Sequence, residues 1–206
     1  MTIEKVMDSI QQIVKGIEDI YQCFLEQFYD NSGYRVLWEE MRQGEDNQIE
    51  LLNRCISIMP SLPHPSYAIV GKDVDYNEIL STIEKYRKEI REDLDINRAL
   101  KIAFHLEILE IQGIFNEIIK LPQEPYFEIL TDMHLETRRN MRNLISGVEQ
   151  YSYDEGFLQK VRELKSGIIE KRSGADRRAG RNKPDNVDRR NNDRRQERLV
   201  KISCKI

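Results

Sequence analysis

The chain has 206 residues, 39% of them apolar and 33% charged, which describes a soluble, helix-rich protein with a core of its own. No run approaches the roughly 18 to 20 uninterrupted apolar residues of a membrane span, and the start has no basic region followed by an apolar stretch, so a cytoplasmic protein without membrane contact is expected. The net charge of -4 hides a split: residues 171–206 carry 13 Lys and Arg against 5 Asp and Glu, a balance of +8, which leaves -12 on residues 1–170.

From Thr2 to about Asp30, one apolar row holds Ile3, Val6, Ile10, Ile13, Ile17, Ile20 and Phe24. A neighbouring row holds Met7, Val14, Tyr21, Leu25 and Phe28, interrupted by Glu18. Two adjacent rows predict a helix packed against more than one partner. Asp30-Asn-Ser-Gly33 breaks it, and a second helix is expected from about Tyr34 to Ile58. In that helix Leu37, Met41, Glu45, Gln48, Leu52 and Cys55 recur at three- and four-residue steps and share one face. A carboxylate and an amide inside a buried stripe cost several kcal/mol unless something binds or pairs with them, so Glu45 and Gln48 require partners on other helices.

Pro60, Pro63 and Pro65 predict a non-helical linker. A shorter outer helix is expected from about Asn77 to Leu94, with Ile79, Leu80, Ile83, Tyr86 and Ile90 in register. The next helix, about Ile96 to Lys120, places Ile96, Leu100, Ala103, Glu107, Ile111, Ile114 and Ile118 on one face. After Leu121-Pro-Gln-Glu-Pro125, a helix from about Tyr126 to Tyr151 carries Leu130, Met133, Glu136, Asn140, Leu144 and Val148 in its stripe. Residues from about Asp154 to Lys171 read as a short amphipathic helix. Beyond Arg172 the apolar pattern stops, and Asp176-Arg-Arg, Asp188-Arg-Arg and Asp193-Arg-Arg recur in a segment too polar to build a core. Leu199–Ile206 alternates in part, as a short strand or docking peptide does.

The two helical pairs repeat one plan, with Glu18 preceding Glu45 and Glu107 preceding Glu136. An inward Glu from each of two helices, plus Glu-x-x-His from each of the other two, is the ligand set of ferritin-like di-iron proteins. Three stretches, Glu18-Asp-Ile-Tyr-Gln-Cys-Phe-Leu25, Leu37-Trp-Glu-Glu-Met41 leading into Glu45-Asp-Asn-Gln48, and Ala99-Leu-Lys-Ile-Ala-Phe-His-Leu-Glu107, resemble the rubrerythrin branch of the ferritin-like superfamily over about Thr2 to Val148. The resemblance implies an all-α fold, an antiparallel ferritin-like four-helix bundle within residues 1–170 with extra short helices, while composition makes residues 171–206 a basic, flexible tail. The resemblance also implies a metal site at Glu18, Glu45, Glu107 and Glu136.

The chain departs from that family where the chemistry lies. Gln48 and Arg139 stand where the family has its two histidines. An arginine keeps its charge and cannot ligate a metal, so Arg139 is expected to pair with Glu136, and Gln48 with Glu45 or Glu18, in a site filled by hydrogen bonds. His105 and His134 each precede a stripe glutamate by two residues, about 200° around a helix, and His64 lies in the proline linker. Cys23, Cys55 and Cys204 form no Cys-x-x-Cys pair, which argues against a disulfide framework, a zinc ribbon and a rubredoxin-like module.

The function expected is that of a non-catalytic ferritin-like interaction or regulatory module without a cofactor. The alternative is a rubrerythrin-like di-iron oxidoreductase acting on peroxide or oxygen with an altered ligand set, or a carboxylate-only site for a hard cation. Arg177, Arg178, Arg189, Arg190, Arg194 and Arg195 are candidates for an anion-binding tail facing a protein or polyanion. The Asp before each Arg pair, and the lack of interleaved aromatic residues, favour instead a solvated tail or one folded against acidic protein. Wide apolar faces also allow a homodimer.

Overall fold

The computed structural model describes residues 3–58, 75–91, 94–111 and 123–176, and among them it is all-helical, the helices joined by short turns, with no strand. Six helices follow in order: α1 Ile3–Gln27, α2 Ser32–Ile58, α3 Tyr76–Glu89, α4 Ile96–Glu110, α5 Gln123–Tyr151 and α6 Glu155–Asp176. The proline linker with His64 and the terminal Leu199–Ile206 segment lie outside the described residues, as do Cys204 and all six candidate tail arginines.

The doubled apolar face of α1 is spent on three neighbours, α2, α3 and α4. Ile10, Ile13, Val14, Ile17, Ile20, Tyr21 and Phe24 are wholly buried, and each large apolar side chain taken out of water contributes about 1.5 to 3 kcal/mol. The break that follows is shorter than its turn-forming residues suggest. Asn31 caps α2, its side-chain Oδ1 accepting from the backbone N–H of Gly33 and of Tyr34 at 3.1 Å each, so Ser32 and Gly33 already belong to the helix. That bond pattern satisfies two of the donors a helix start leaves open.

α2 packs on α1 and on α5, and every member of its sequence stripe, from Leu37 to Cys55, is buried. α3 is shorter than expected, beginning at an Asp75 cap and burying Tyr76, Ile79 and Ile83. It is tied to α1 where Arg87 pairs with Asp19.

α4 starts at an Asp95 cap and is buried on nearly all sides, with Ala99, Leu100, Ile102, Ala103, Phe104, Leu106 and Ile108 all inside. A helix apolar all round belongs in an interior. The helix closes at Glu110, and the expected continuation to Lys120 falls on undescribed residues after Ile111.

α5 begins ahead of Pro125, which sits in its first turn, where a missing N–H costs no helical bond. The start of α6 is fixed by Asp154, which accepts from the Phe157 N–H at 3.0 Å and pairs with Lys101 of α4 at 2.5 Å. Phe157, Leu158, Val161 and Leu164 are buried, Phe157 meeting Phe104 edge-on at 5.5 Å. The helix runs to Asp176, past the Lys171 end expected from sequence. No helix among the described residues is long and apolar enough to cross a membrane.

Candidate metal centre

Helical spacing places residues three apart on one face. α2 thereby presents Glu45 with Gln48, and α4 presents Glu107 with Glu110; all four side chains are wholly buried. One carboxylate oxygen from each of Glu45, Glu107 and Glu110 lies within 4.8 Å of the other two.

Two flanking helices complete the cluster. From α1, the Tyr21 hydroxyl donates to Glu107 Oε1 at 2.9 Å, while its ring stacks on Trp38 with centroids 6.0 Å apart. From α5, the Asn140 Nδ2 donates to Glu45 Oε1 at 3.0 Å. That approach depends on Gly44: a Cβ there would stand 1.9 Å from Asn140 Oδ1. A glycine inside a helix costs about 1 kcal/mol against alanine, and here it opens the space the amide occupies.

Much of the cluster's hydrogen-bonding capacity is unused. Glu45 Oε2, Glu107 Oε2, both Glu110 oxygens, both Gln48 amide atoms and Asn140 Oδ1 are buried without a partner. Each such atom costs about 1 to 3 kcal/mol. Burial pushes the Glu45 carboxyl well up, with the charges of Glu110 and Glu107 adding to it and the Asn140 bond opposing it. Glu110 is also raised, by burial and then by Glu107, whereas Glu107 is raised by burial to about 7 and restrained by the Tyr21 bond. Burial likewise raises the Tyr21 phenol, so it stays protonated and donating.

The donor set suits a hard cation and little else. Three carboxylates are the kind of oxygen ligands that magnesium, calcium or manganese ions take, with neither imidazole nor thiolate in the cluster. Two ligands on one ion stand at most about 4 to 5 Å apart, twice an ion–oxygen distance of roughly 2.0 to 2.6 Å, which the 4.8 Å limit of the cluster meets.

No family model, curated protein or solved structure matches this chain. The likeness to rubrerythrins rests on the three quoted stretches alone, and the structure revises the ligand set that the likeness implies. Of the four expected glutamates, Glu45 and Glu107 meet in the cluster. Glu18, 7% exposed, lies beside it but turns to the flank, where Lys15 pairs with it and Arg42 Nη1 lies 3.7 Å away. Glu136 is not inside: its side chain is 23% exposed and accepts from Asn47 Nδ2 at 3.2 Å. Arg139 does not fill the site either; it is 60% exposed and 3.9 Å from Glu136. Gln48 lies where expected, yet it bonds to neither Glu45 nor Glu18.

The physical reason for the error on α5 is a degenerate spacing. Between Met133 and Asn140, both position 136 and position 137 satisfy three- and four-residue steps, and the inward one is Thr137, whose hydroxyl donates to the Met133 carbonyl at 2.9 Å. Glu110 was missed because the stripe of α4 was followed to Ile111, although Glu107-x-x-Glu110 repeats the spacing of Glu45-x-x-Gln48.

The remaining sequence candidates stand apart. His105 bonds through Nδ1 to the Tyr86 hydroxyl at 2.7 Å and is lowered in pKa by burial, and His134 is exposed. Cys55 is buried and free, its thiol raised to about 11, and Cys23 is half-buried and free.

Proposed function

We propose that this chain is a non-enzymatic helical module built around a buried hard-cation site, with Glu45, Glu107 and Glu110 as carboxylate ligands and Gln48 and Asn140 supplying amide oxygens. The observation that carries the reading is the convergence of three wholly buried carboxylates with unpartnered oxygens, on helices that also bury the unbonded Gln48 amide. An arrangement without an ion leaves the carboxylate oxygens unsatisfied, whereas one cation answers an oxygen from each of the three at once. The bound ion would supply charge neutralisation. Tyr21 and Asn140 would fix the orientation of Glu107 and Glu45, as outer hydrogen bonds do for ligating carboxylates.

The ferritin-like antiparallel arrangement of α1, α2, α4 and α5 belongs to the same proposal, supported by the sequence stretches and by the contribution of all four helices to one cluster. Complete burial of the carboxylates favours an ion over an organic substrate. The Arg-rich segment after Asp176 is the proposed contact element for an anionic partner, and removing it is expected to abolish retention on a polyphosphate resin.

Metal analysis and calorimetry on chelator-stripped protein test the reading. One hard cation per chain is expected, lost in Glu45→Leu and Glu107→Leu; absence of any binding to the unmodified protein refutes it. The oxidoreductase alternative keeps one observation in its favour, an oxidisable phenol bonded to Glu107. It requires the iron-loaded protein to consume peroxide.

A further inference from the structure

On the cation reading above, on which this step rests, an ion has to reach three carboxylates that are wholly buried, so some group moves aside to admit it. Among the described residues, three seams around the cluster are closed by packing that the turn of a side chain does not open. Between α2 and α5 the backbones come close, Gly44 against Asn140 and Gly147 against Leu37, where an added Cβ would collide with the facing side chain. Between α1 and α4, Tyr21 holds Glu107, and α3 packs outside on both helices with the Tyr86 hydroxyl bonded to His105. Against α4 and α5 lies α6, with Phe157 edge-on to Phe104 and Leu158, Val161 and Leu164 buried.

Between α1 and α2 the closure is of another kind. Glu18 stands one turn before Tyr21 on α1, and Arg42 one turn before Glu45 on α2, so both neighbour the cluster along their helices. Burial raises the Glu45 carboxyl most, and the charge of Glu18 adds to it, which puts Glu18 within electrostatic reach of the site. The Glu18 side chain is 9% exposed and anchors two cationic arms: Lys15 pairs with it, and Arg42 Nη1 lies 3.7 Å away. These arms run out to water at 58% and 29% exposure, with Asp19 at 3.8 Å from Lys15 and Asp46 at 2.7 Å from Arg42.

Pinned in this way, two positive groups stand over the flank and repel an incoming cation. Ion pairs this exposed are weak, and once released the long stems swing into water without disturbing the helices beneath. We propose that the cation enters and leaves between α1 and α2, past Glu18, and that the Lys15–Glu18–Arg42 pairing is the latch that opens to let it through.

Manganese ions are the probe, and Trp38, the single tryptophan, is the reporter. It stacks on Tyr21, which bonds Glu107, so a paramagnetic ion at the site quenches its emission. Uptake is followed by stopped-flow mixing of chelator-stripped, full-length protein with manganese, and release by mixing the loaded protein with excess chelator. Lys15→Gln/Glu18→Gln removes one arm and its anchor without changing net charge. A gate is crossed in both directions, so both rates should rise by one factor, about tenfold or more, as loss of a charge-assisted bond from the opening step gives, while affinity stays within about fivefold. Arg42→Gln/Asp46→Asn, also charge-neutral, removes the other arm and should move both rates the same way. Lys165→Gln/Glu149→Gln, the same exchange where α6 meets α5, is the control and should leave both rates where they were. Rates unchanged in both latch variants, or raised equally in the control, overturn the port and leave the cation site standing. Failure of manganese to bind the unmodified protein at equilibrium overturns the site and the port together.

Discussion

Replacing Glu110 with leucine separates what the cluster costs the fold from what an ion returns to it. Both Glu110 oxygens are buried without a partner, and the side chain is wholly enclosed. Leaving such atoms unmet costs about 1 to 3 kcal/mol each, and exchanging buried charged groups for hydrocarbon of similar volume is often stabilising by about 1 to 4 kcal/mol. Glu110→Leu should therefore raise the stability of the metal-free protein at neutral pH by about 2 to 4 kcal/mol. For a chain of this size that is roughly 5 to 15 °C in Tm. With cation present the order should reverse: an ion at about a thousand times its Kd adds about 4 kcal/mol to the unmodified protein and close to nothing to the variant. Urea unfolding followed by far-ultraviolet circular dichroism, with chelator and with cation, gives both numbers. A metal-free variant weaker than the parent by more than about 1 kcal/mol would show that Glu110 makes a structural bond, and the reasoning fails.

Gly44→Ala should destabilise by several kcal/mol despite alanine's better helix propensity, because its Cβ would meet Asn140 Oδ1 at 1.9 Å; a thermal melt that rises instead contradicts the close approach. Tyr21→Phe strips Glu107 Oε1 of its donor and should cost about 1 to 3 kcal/mol in the metal-free protein, read by the same urea titration. Glu107 titrates near 7 in the fold against 4.5 unfolded, so the folded state holds the extra proton and its stabilising effect, full below 4.5, is lost as pH rises through 7. The metal-free Tm should accordingly fall between about pH 5 and pH 8, by the equivalent of about 3 kcal/mol from this group, and a flat profile in differential scanning calorimetry would count against it. Arg139→Ala should change stability by less than about 0.5 kcal/mol, as befits a side chain 60% exposed; a loss above 1 kcal/mol would restore it to the interior.

The fold was legible where the apolar rows were unambiguous. The α2 stripe from Leu37 to Cys55 is buried to the last residue, and the two rows of α1 meet three neighbours because two rows cannot be covered by one. The site was legible by half. Glu45, Gln48 and Glu107 stood out because polar groups interrupted clean stripes, and all three are inside. Position 136 against 137 was undecidable from steps of three and four, since both fit between Met133 and Asn140. On α4, burial on nearly every side removes the contrast that makes an inward glutamate conspicuous, so the apolar pattern does not single out Glu110. The short break before α2 was misjudged for another reason: Asn31 bonds forward to the Gly33 and Tyr34 amides, which turns a loop-forming string into the helix's own beginning.

The side chains that touch at the cluster are far apart along the chain: Tyr21 and Glu107 are separated by 86 positions, Asn140 and Glu45 by 95. An ion seated among them would act as a non-covalent clasp between the first half of the polypeptide and the second, and closing such long loops costs only slightly more entropy than closing short ones. Occupancy would then govern whether α1 and α2 can part from α4 and α5 as separate units or must come undone in a single step. Amide exchange measured with and without bound cation would register that difference directly.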